Sequence, residues 1–293
     1  MSPYCGTSET AFAKLNLSLD VLGLLPGGYH ELLMVMQSIS VCDEIKLSLR
    51  NDGEIHLSSD KPWLPSNEKN LAWKAAAEFF GALGQNRCGV DITITKTIPV
   101  GAGMAGGSSD AAAVLRGLNR LFGKPFDADG LRRIGLLIGS DVPYCITGGS
   151  KLARGRGELL TPLPELPECS VVVVKPAFSI STADLFGKVD SRAGHTHPDT
   201  AGIVSSLHEM DLRGVAMRMF NVFEDVLPRN CRELSSIRGE LLDHGALGAV
   251  MTGTGSAVFG IFSSEKTAGA AWNELQGKYR ECFLTRFVPE LTV

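Results

Sequence analysis

The stretch Pro99-Val100-Gly101-Ala102-Gly103-Met104-Ala105-Gly106-Gly107-Ser108-Ser109-Asp110 constrains this chain more than any other. Its four glycines lie within seven positions, so main-chain amides stay uncovered and the backbone is free to take positive φ. The serines and aspartate that follow read as the start of a helix from about Ser108 to Phe122. Ser108 or Ser109 would cap its free amides, and Asp110 suits the positive end of its dipole. Bare amides at a helix N-terminus bind anions, and phosphate is the usual occupant. A purely structural turn needs one or two glycines, not four.

Several nucleotide-binding classes are excluded. No GxxxxGK[ST] stretch occurs, and neither HRD nor DFG of the protein kinases is present. Gly101-x-Gly103-x-x-Gly106 matches a dinucleotide fingerprint formally. In that motif, however, the first glycine follows its strand directly, whereas Lys96–Val100 intervene here.

Hydrophobic periodicity places this loop in a mixed fold. Phe12–Asp20 alternates as a strand, with Leu15, Leu17 and Leu19 on one face and Lys14, Asn16, Ser18 and Asp20 on the other. Ile45, Leu47 and Leu49 alternate likewise, and Asn51-Asp52-Gly53 predicts a hairpin back through Glu54–Ser58. Helices are expected over Asn70–Leu83 and Asp127–Ile138, and a strand over Val90–Thr95. Beyond Pro162, Pro164 and Pro167 comes a strand at Val171–Val174. Helices near 182–189, 200–208, 211–220 and 232–244 follow, then strands at 248–251 and 257–262, a helix from Ser264 and a strand near 283–288. The fold class is α+β in two domains, 1–161 and 162–293, joined at Pro162–Glu168, with the last strand free to return to the first sheet.

Charge and composition narrow the partners. Twenty-eight Lys and Arg against 32 Asp and Glu give −4, which argues against nucleic acid and against a polybasic membrane surface. No apolar run reaches the roughly 18 residues of a membrane span, and Met1–Thr10 lacks a signal-peptide apolar core, so a cytoplasmic protein is expected. The seven cysteines are scattered without metal-ligand spacing and read as reduced small hydrophobes. His195 and His197, between Gly194 and Pro198, read as a solvated loop rather than a metal site.

Other residues admit two readings from sequence alone. Asp141, in Gly139-Ser-Asp-Val-Pro143, fits an Asx-turn as well as a rigidly presented base. Lys14, on a polar strand face, fits a solvated cation as well as a catalytic one. Tyr29 and His30, after Pro26-Gly27-Gly28, fit packed turn aromatics or rings held out into a cleft.

Pro99–Ala112 closely resembles the phosphate loop of the GHMP kinases. Phe12-Ala-Lys14-Leu-Asn16-Leu is similar to that family's first motif, and Met251-Thr-Gly253-Thr-Gly255-Ser-Ala to its third. Met104 stands where the family usually has Leu, a swap that keeps volume. Gly28-Tyr29-His30-Glu31-Leu and Gly139–Pro143 are similar to a branch acting on a cytidylyl substrate. The resemblance implies an N-terminal domain like the second domain of ribosomal protein S5 and a ferredoxin-like C-terminal domain, with ATP bound in the cleft between them. It implies Asp141 as base and Lys14 as its catalytic partner. Pro99, Val100, Gly101, Ala102, Gly103, Met104, Ala105, Gly106, Gly107, Ser108 and Ser109, with Lys96 and Asn70, would bind ATP. Asn16, Tyr29, His30, Asp141, Thr182 and Phe186 would bind the cytidylyl small molecule. Mg²⁺ would accompany ATP, with no dedicated protein metal ligand assigned.

Overall fold

The computed structural model describes residues 6–84, 88–192, 194–228 and 231–293. In order, the elements are β1 (Gly6–Leu24), β2 (His30–Arg50), β3 (Ile55–Ser59), α1 (Leu71–Leu83), β4 (Gly89–Thr95), α2 (Gly106–Leu121), α3 (Ala128–Ile138), α4 (Val142–Thr147), β5 (Lys151–Gly155) and β6 (Leu159–Pro162). The second half adds β7 (Ser170–Lys175), α5 (Thr182–Ser191), α6 (Thr200–His208), α7 (Leu212–Arg218), β8 (Phe220–Asn221), a 3₁₀ turn (Val222–Val226), α8 (Arg232–Asp243), β9 (Gly248–Met251), β10 (Val258–Phe262), α9 (Glu265–Leu275) and β11 (Glu281–Thr285). The α+β class is as expected.

One sheet runs β3-β4-β2-β1-β8, with β5 also on β2 and β6 on β5; the other runs β11-β7-β10-β9. The expected hairpin does not form. β2 pairs antiparallel with β4, and β3 joins the far side of β4 in parallel. Val90, Ile92 and Ile94 of β4 are buried, so β4 gains more as an inner strand than β3 would. Asn51–Gly53 turns the chain, but its outgoing strand skips one position in the sheet.

The long strand β1 serves two cores because its register shifts between Phe12 and Lys14 and again between Asn16 and Ser18. A bulge moves the alternation to the other face. Ala13, Leu15 and Leu17 therefore pack with Val171, Val173, Phe259 and Ile261 of the second sheet. Leu19 packs instead with the core built on α1 and α2, so the single leucine face expected for Leu15, Leu17 and Leu19 is split. Val171–Val174 are fully buried, each side chain stabilising the fold by about 1.5–3 kcal/mol.

The last strand stays in the second sheet, and it is the residues beyond it that reach the first. β11 closes the second sheet, then Phe287 bridges to Ile39, and Val288 N donates to Ser38 O. β8 also crosses, pairing with β1 through Ser18 and Leu19. Cys145 and Cys231 are buried and Cys42, Cys88, Cys169 and Cys282 half-buried; Cys5 lies outside the described residues. Among the described residues no helix is long and apolar enough to cross a membrane.

Candidate active site

The glycine loop enters α2 earlier than the serines suggest. Ala105, at φ 59°, precedes the first helical residue Gly106, and no side chain caps the helix. Neither serine is the cap: the Ser109 hydroxyl donates to Phe12 O, and Asp110 lies beyond the first turn. The amides of that first turn have no side-chain partner, which suits an anion better than a capped helix would.

Gly103 shows why the loop needs glycine. Its φ is 74°, and a Cβ there would sit 2.1 Å from Thr252 O in the turn between β9 and β10. That turn braces the loop directly. Ser256 N donates to Gly101 O at 3.3 Å and Ala257 N to Ala102 O at 3.2 Å. Gly253 and Gly255 thus belong to the support of the loop.

A cavity of about 390 Å³ opens over the loop. It is lined by Pro99 to Ser108, Asn70, Lys96, Thr182 and Thr254. Ser109 does not line it, because its side chain is turned inward to β1. Asn70 caps α1 through its Oδ1 and holds Pro65 O with its Nδ2, so its amide is already engaged.

Lys96 is a buried strut. Its ammonium donates to Asp43 and, at 2.8 Å, to Asp110, and it is 8% exposed. Asp43, absent from the sequence reading, also accepts Thr97 N at 2.6 Å and Ile98 N at 2.8 Å. Burial pulls Lys96 down, but the two carboxylates more than offset it and the net shift is upward. Burial, with Asp43 adding to it against the opposing pull of Lys96, pushes Asp110 up to about 7. The three groups lie 14 and 53 residues apart in sequence, a spacing no local pattern carries.

A second cavity of about 450 Å³ shares Gly103, Ala105, Ser108, Thr182 and Thr254 with the first. It brings together Lys14, Asn16, Tyr29, His30, Asp141, Thr182 and Phe186, all seven residues expected around the acceptor. β1 supplies Lys14 and Asn16 on one face, and the start of α4 presents Asp141. Lys14 Nζ donates to Asn16 Oδ1 at 2.6 Å and to Gly103 O at 2.7 Å. Burial lowers the Lys14 pKa from its ordinary value, and the charge of Asp141 works against that fall. Asn16 is fully buried and also accepts Gly253 N at 3.0 Å, so it links β1, the loop and the β9–β10 turn.

The aromatic wall is layered. His30 stacks on Phe186 at 4.3 Å between centroids, and Phe186 meets Phe223 edge-on at 4.9 Å. The His30 Nε2 is held by Asp190 Oδ1 at 2.8 Å, so that ring edge is already engaged. Tyr29 is half exposed, with the Arg156 guanidinium 3.6 Å from its ring centroid. Arg156 also reaches Ser140 Oγ at 3.2 Å. Sequence reading missed Arg156; the Gly155-Arg156-Gly157 run at the end of β5 was the available signal.

Comparison with known proteins places this geometry in a family. The pattern of the GHMP kinases N terminal domain matches residues 70–149, and that of the GHMP kinases C terminal region matches 203–281. A 4-diphosphocytidyl-2-C-methyl-D-erythritol kinase of Acetivibrio thermocellus is 42% identical over 281 residues, covering 96% of this chain and 99% of its own. One from Syntrophomonas wolfei is 43% identical over 272 residues, with 93% and 95% covered. A crystal structure of 4-(cytidine 5'-diphospho)-2C-methyl-D-erythritol kinase superposes with a TM-score of 0.80 at 32% identity, covering 96% of this chain and 99% of that one. The fold is shared more distantly with L. major mevalonate kinase in complex with R-mevalonate, at a TM-score of 0.75 and 20% identity, covering 97% of this chain and 96% of that one, a likeness of fold alone. The two cavities, the glycine loop between them and the near full-length identity lead to one assignment: this chain belongs to the GHMP kinases, in their 4-diphosphocytidyl-2-C-methyl-D-erythritol kinase family.

Proposed function

We propose that this enzyme transfers the γ-phosphoryl group of ATP to the 2-hydroxyl of 4-diphosphocytidyl-2-C-methyl-D-erythritol, giving the 2-phosphate and ADP in isoprenoid precursor synthesis in the cytoplasm. One observation carries the reading: Lys14, Asn16 and Asp141 share a cavity with Tyr29, His30 and Phe186, and that cavity adjoins the phosphate loop. ATP places its phosphates against the amides of Gly101–Ser108 in residues 1–161. The C-terminal part, 162–293, contributes Thr182 and Phe186 to the acceptor side.

Phosphoryl transfer asks for alignment and charge neutralisation more than covalent chemistry. Asp141 takes the proton as the 2-hydroxyl oxygen bonds to the γ-phosphorus and the bond to the β-bridging oxygen breaks, releasing ADP. Lys14, held between Asn16 Oδ1 and Gly103 O, sets a cation where negative charge builds up. Tyr29 and Phe186 offer faces for the cytosine ring, and His30 keeps Nδ1 and its backbone for the ring edge. Mg²⁺ bound with ATP would offset phosphate charge. Ser108 lines the loop cavity and its hydroxyl would be a protein oxygen suited to the ion; Asp110 lines the same cavity, with Oδ2 given to Lys96 and Oδ1 buried without a hydrogen-bond partner.

The direct test compares turnover with the cytidylyl substrate, mevalonate and homoserine under the same ATP and Mg²⁺. The reading predicts turnover of the first and negligible rates with the others. Preference for mevalonate or homoserine overturns it.

A further inference from the structure

The bulge that aims Lys14 and Asn16 into the acceptor cavity also turns Asp20 away from it. Leu19 faces the cavity, and Asp20, 3% exposed, points towards the segment between α5 and α6. There the two histidines read as a solvated loop converge on it. His197 Nδ1 lies 3.0 and 2.9 Å from the two Asp20 oxygens, and His195 Nε2 lies 3.9 Å from Oδ1. The rings of His195 and His197 are 4.6 Å apart at 60°. All three ligand atoms fall within 4.8 Å of one another. His195 is half-buried and spends Nε2 on Val21 O at 2.9 Å.

We propose that Asp20, His195 and His197 form a site for a borderline divalent transition metal, of the zinc or cobalt class. A tetrahedral ion bound by two imidazoles and a carboxylate holds its ligands at about 2.0–2.2 Å, which sets ligand atoms roughly 3.3–3.5 Å apart. The observed separations of 2.9 and 3.9 Å to Asp20 bracket that value. Small ring rotations suffice, with His195 exchanging the Val21 carbonyl for the ion. Two imidazoles and one carboxylate select this metal class over Mg²⁺, which prefers oxygen and several waters. The site is therefore chemically distinct from the Mg²⁺ that accompanies ATP. A fourth position opens to solvent beside the exposed His197.

The buried carboxylate separates this cluster from an ordinary surface pair. His56 beside Asp91, at 3.7 Å with both side chains exposed, offers one ring only and serves as the control. The bound ion would tie β1 to the segment leaving α5, the helix that presents Phe186 and Asp190 to His30.

The test uses the full chain dialysed against chelator and titrated with Co²⁺ alone, followed by visible absorption, then with Zn²⁺. Expected are one equivalent of tetrahedral Co²⁺ absorption, its displacement by Zn²⁺ and not by excess Mg²⁺, and a Zn²⁺-dependent rise in Tm. His195→Gln, His197→Gln and Asp20→Asn should each weaken binding by about tenfold or more, with His56→Gln unchanged. The glutamine variants preserve hydrogen bonding, so circular dichroism should match the parent. Absence of saturable Co²⁺ binding, or binding equal in His195→Gln, His197→Gln and the parent, overturns the proposal.

Discussion

Replacing Asp43 by alanine probes the strut beneath the phosphate loop. The substitution removes the acceptor for three donors: Lys96 Nζ, Thr97 N and Ile98 N. Ile98 is 2% exposed, so its amide is left buried without a partner, at a cost of about 1–3 kcal/mol. Thr97 is exposed and its amide rehydrates, costing about 1 kcal/mol. Lys96 keeps Asp110, whose carboxyl returns towards its ordinary range once the neighbouring negative charge is gone. The sum is about 2–4 kcal/mol, which for a chain of this length lowers Tm by roughly 4–8 °C. Asp43→Asn retains an acceptor for the two amides and should lose about 1 kcal/mol. Calorimetry of both variants, with KM for ATP measured alongside, makes the comparison. Asp43→Ala should also raise the ATP KM, because the segment entering the loop is released. A Tm for Asp43→Ala within a degree of the parent, or an asparagine variant as unstable as the alanine one, refutes the reasoning.

Two further outcomes are expected from the acceptor cavity. The alkaline limb of the kcat profile should fall below the pH of an ordinary lysine. Burial lowers Lys14, and the neutral form no longer offsets phosphoryl charge. The same depressed value makes the Lys14 contribution to stability increase with pH between its folded and unfolded pKa values, so a limb at or above pH 10.5 contradicts the assignment. Phe186→Ala removes the face stacked on His30 and should raise KM for the cytidylyl substrate by about tenfold with kcat little changed; an unchanged KM places the base elsewhere.

What was legible in the sequence was what lies close together in it. The spacing of Gly101, Gly103, Gly106 and Gly107 marked the loop that lines the first cavity, and the two-residue step from Lys14 to Asn16 placed both on one face. Long-range choices were not legible. Asn51-Asp52-Gly53 marks a turn without saying that β4 will insert beside β2. The serines after the glycines looked like caps, yet Ser109 is drawn off to Phe12 O and the helix begins at Gly106. Lys96, expected on the ATP side, does line the loop cavity, but its buried pairing with Asp43 and Asp110 is assembled by the sheet and α2 and has no local signal. Likewise Asp20 meets His197 across 177 positions, a pairing set by the β1 bulge and invisible to periodicity.

The central claim is that Asp141 accepts the proton of the acceptor hydroxyl beside a fixed Lys14. Asp141→Asn keeps size and hydrogen bonding and removes the base. Single-turnover phosphorylation of the cytidylyl substrate, run with an ATP-binding titration, measures both roles. The account predicts a rate lower by at least about 100-fold with ATP affinity nearly unaltered. A variant that phosphorylates its substrate at the parent rate would contradict it.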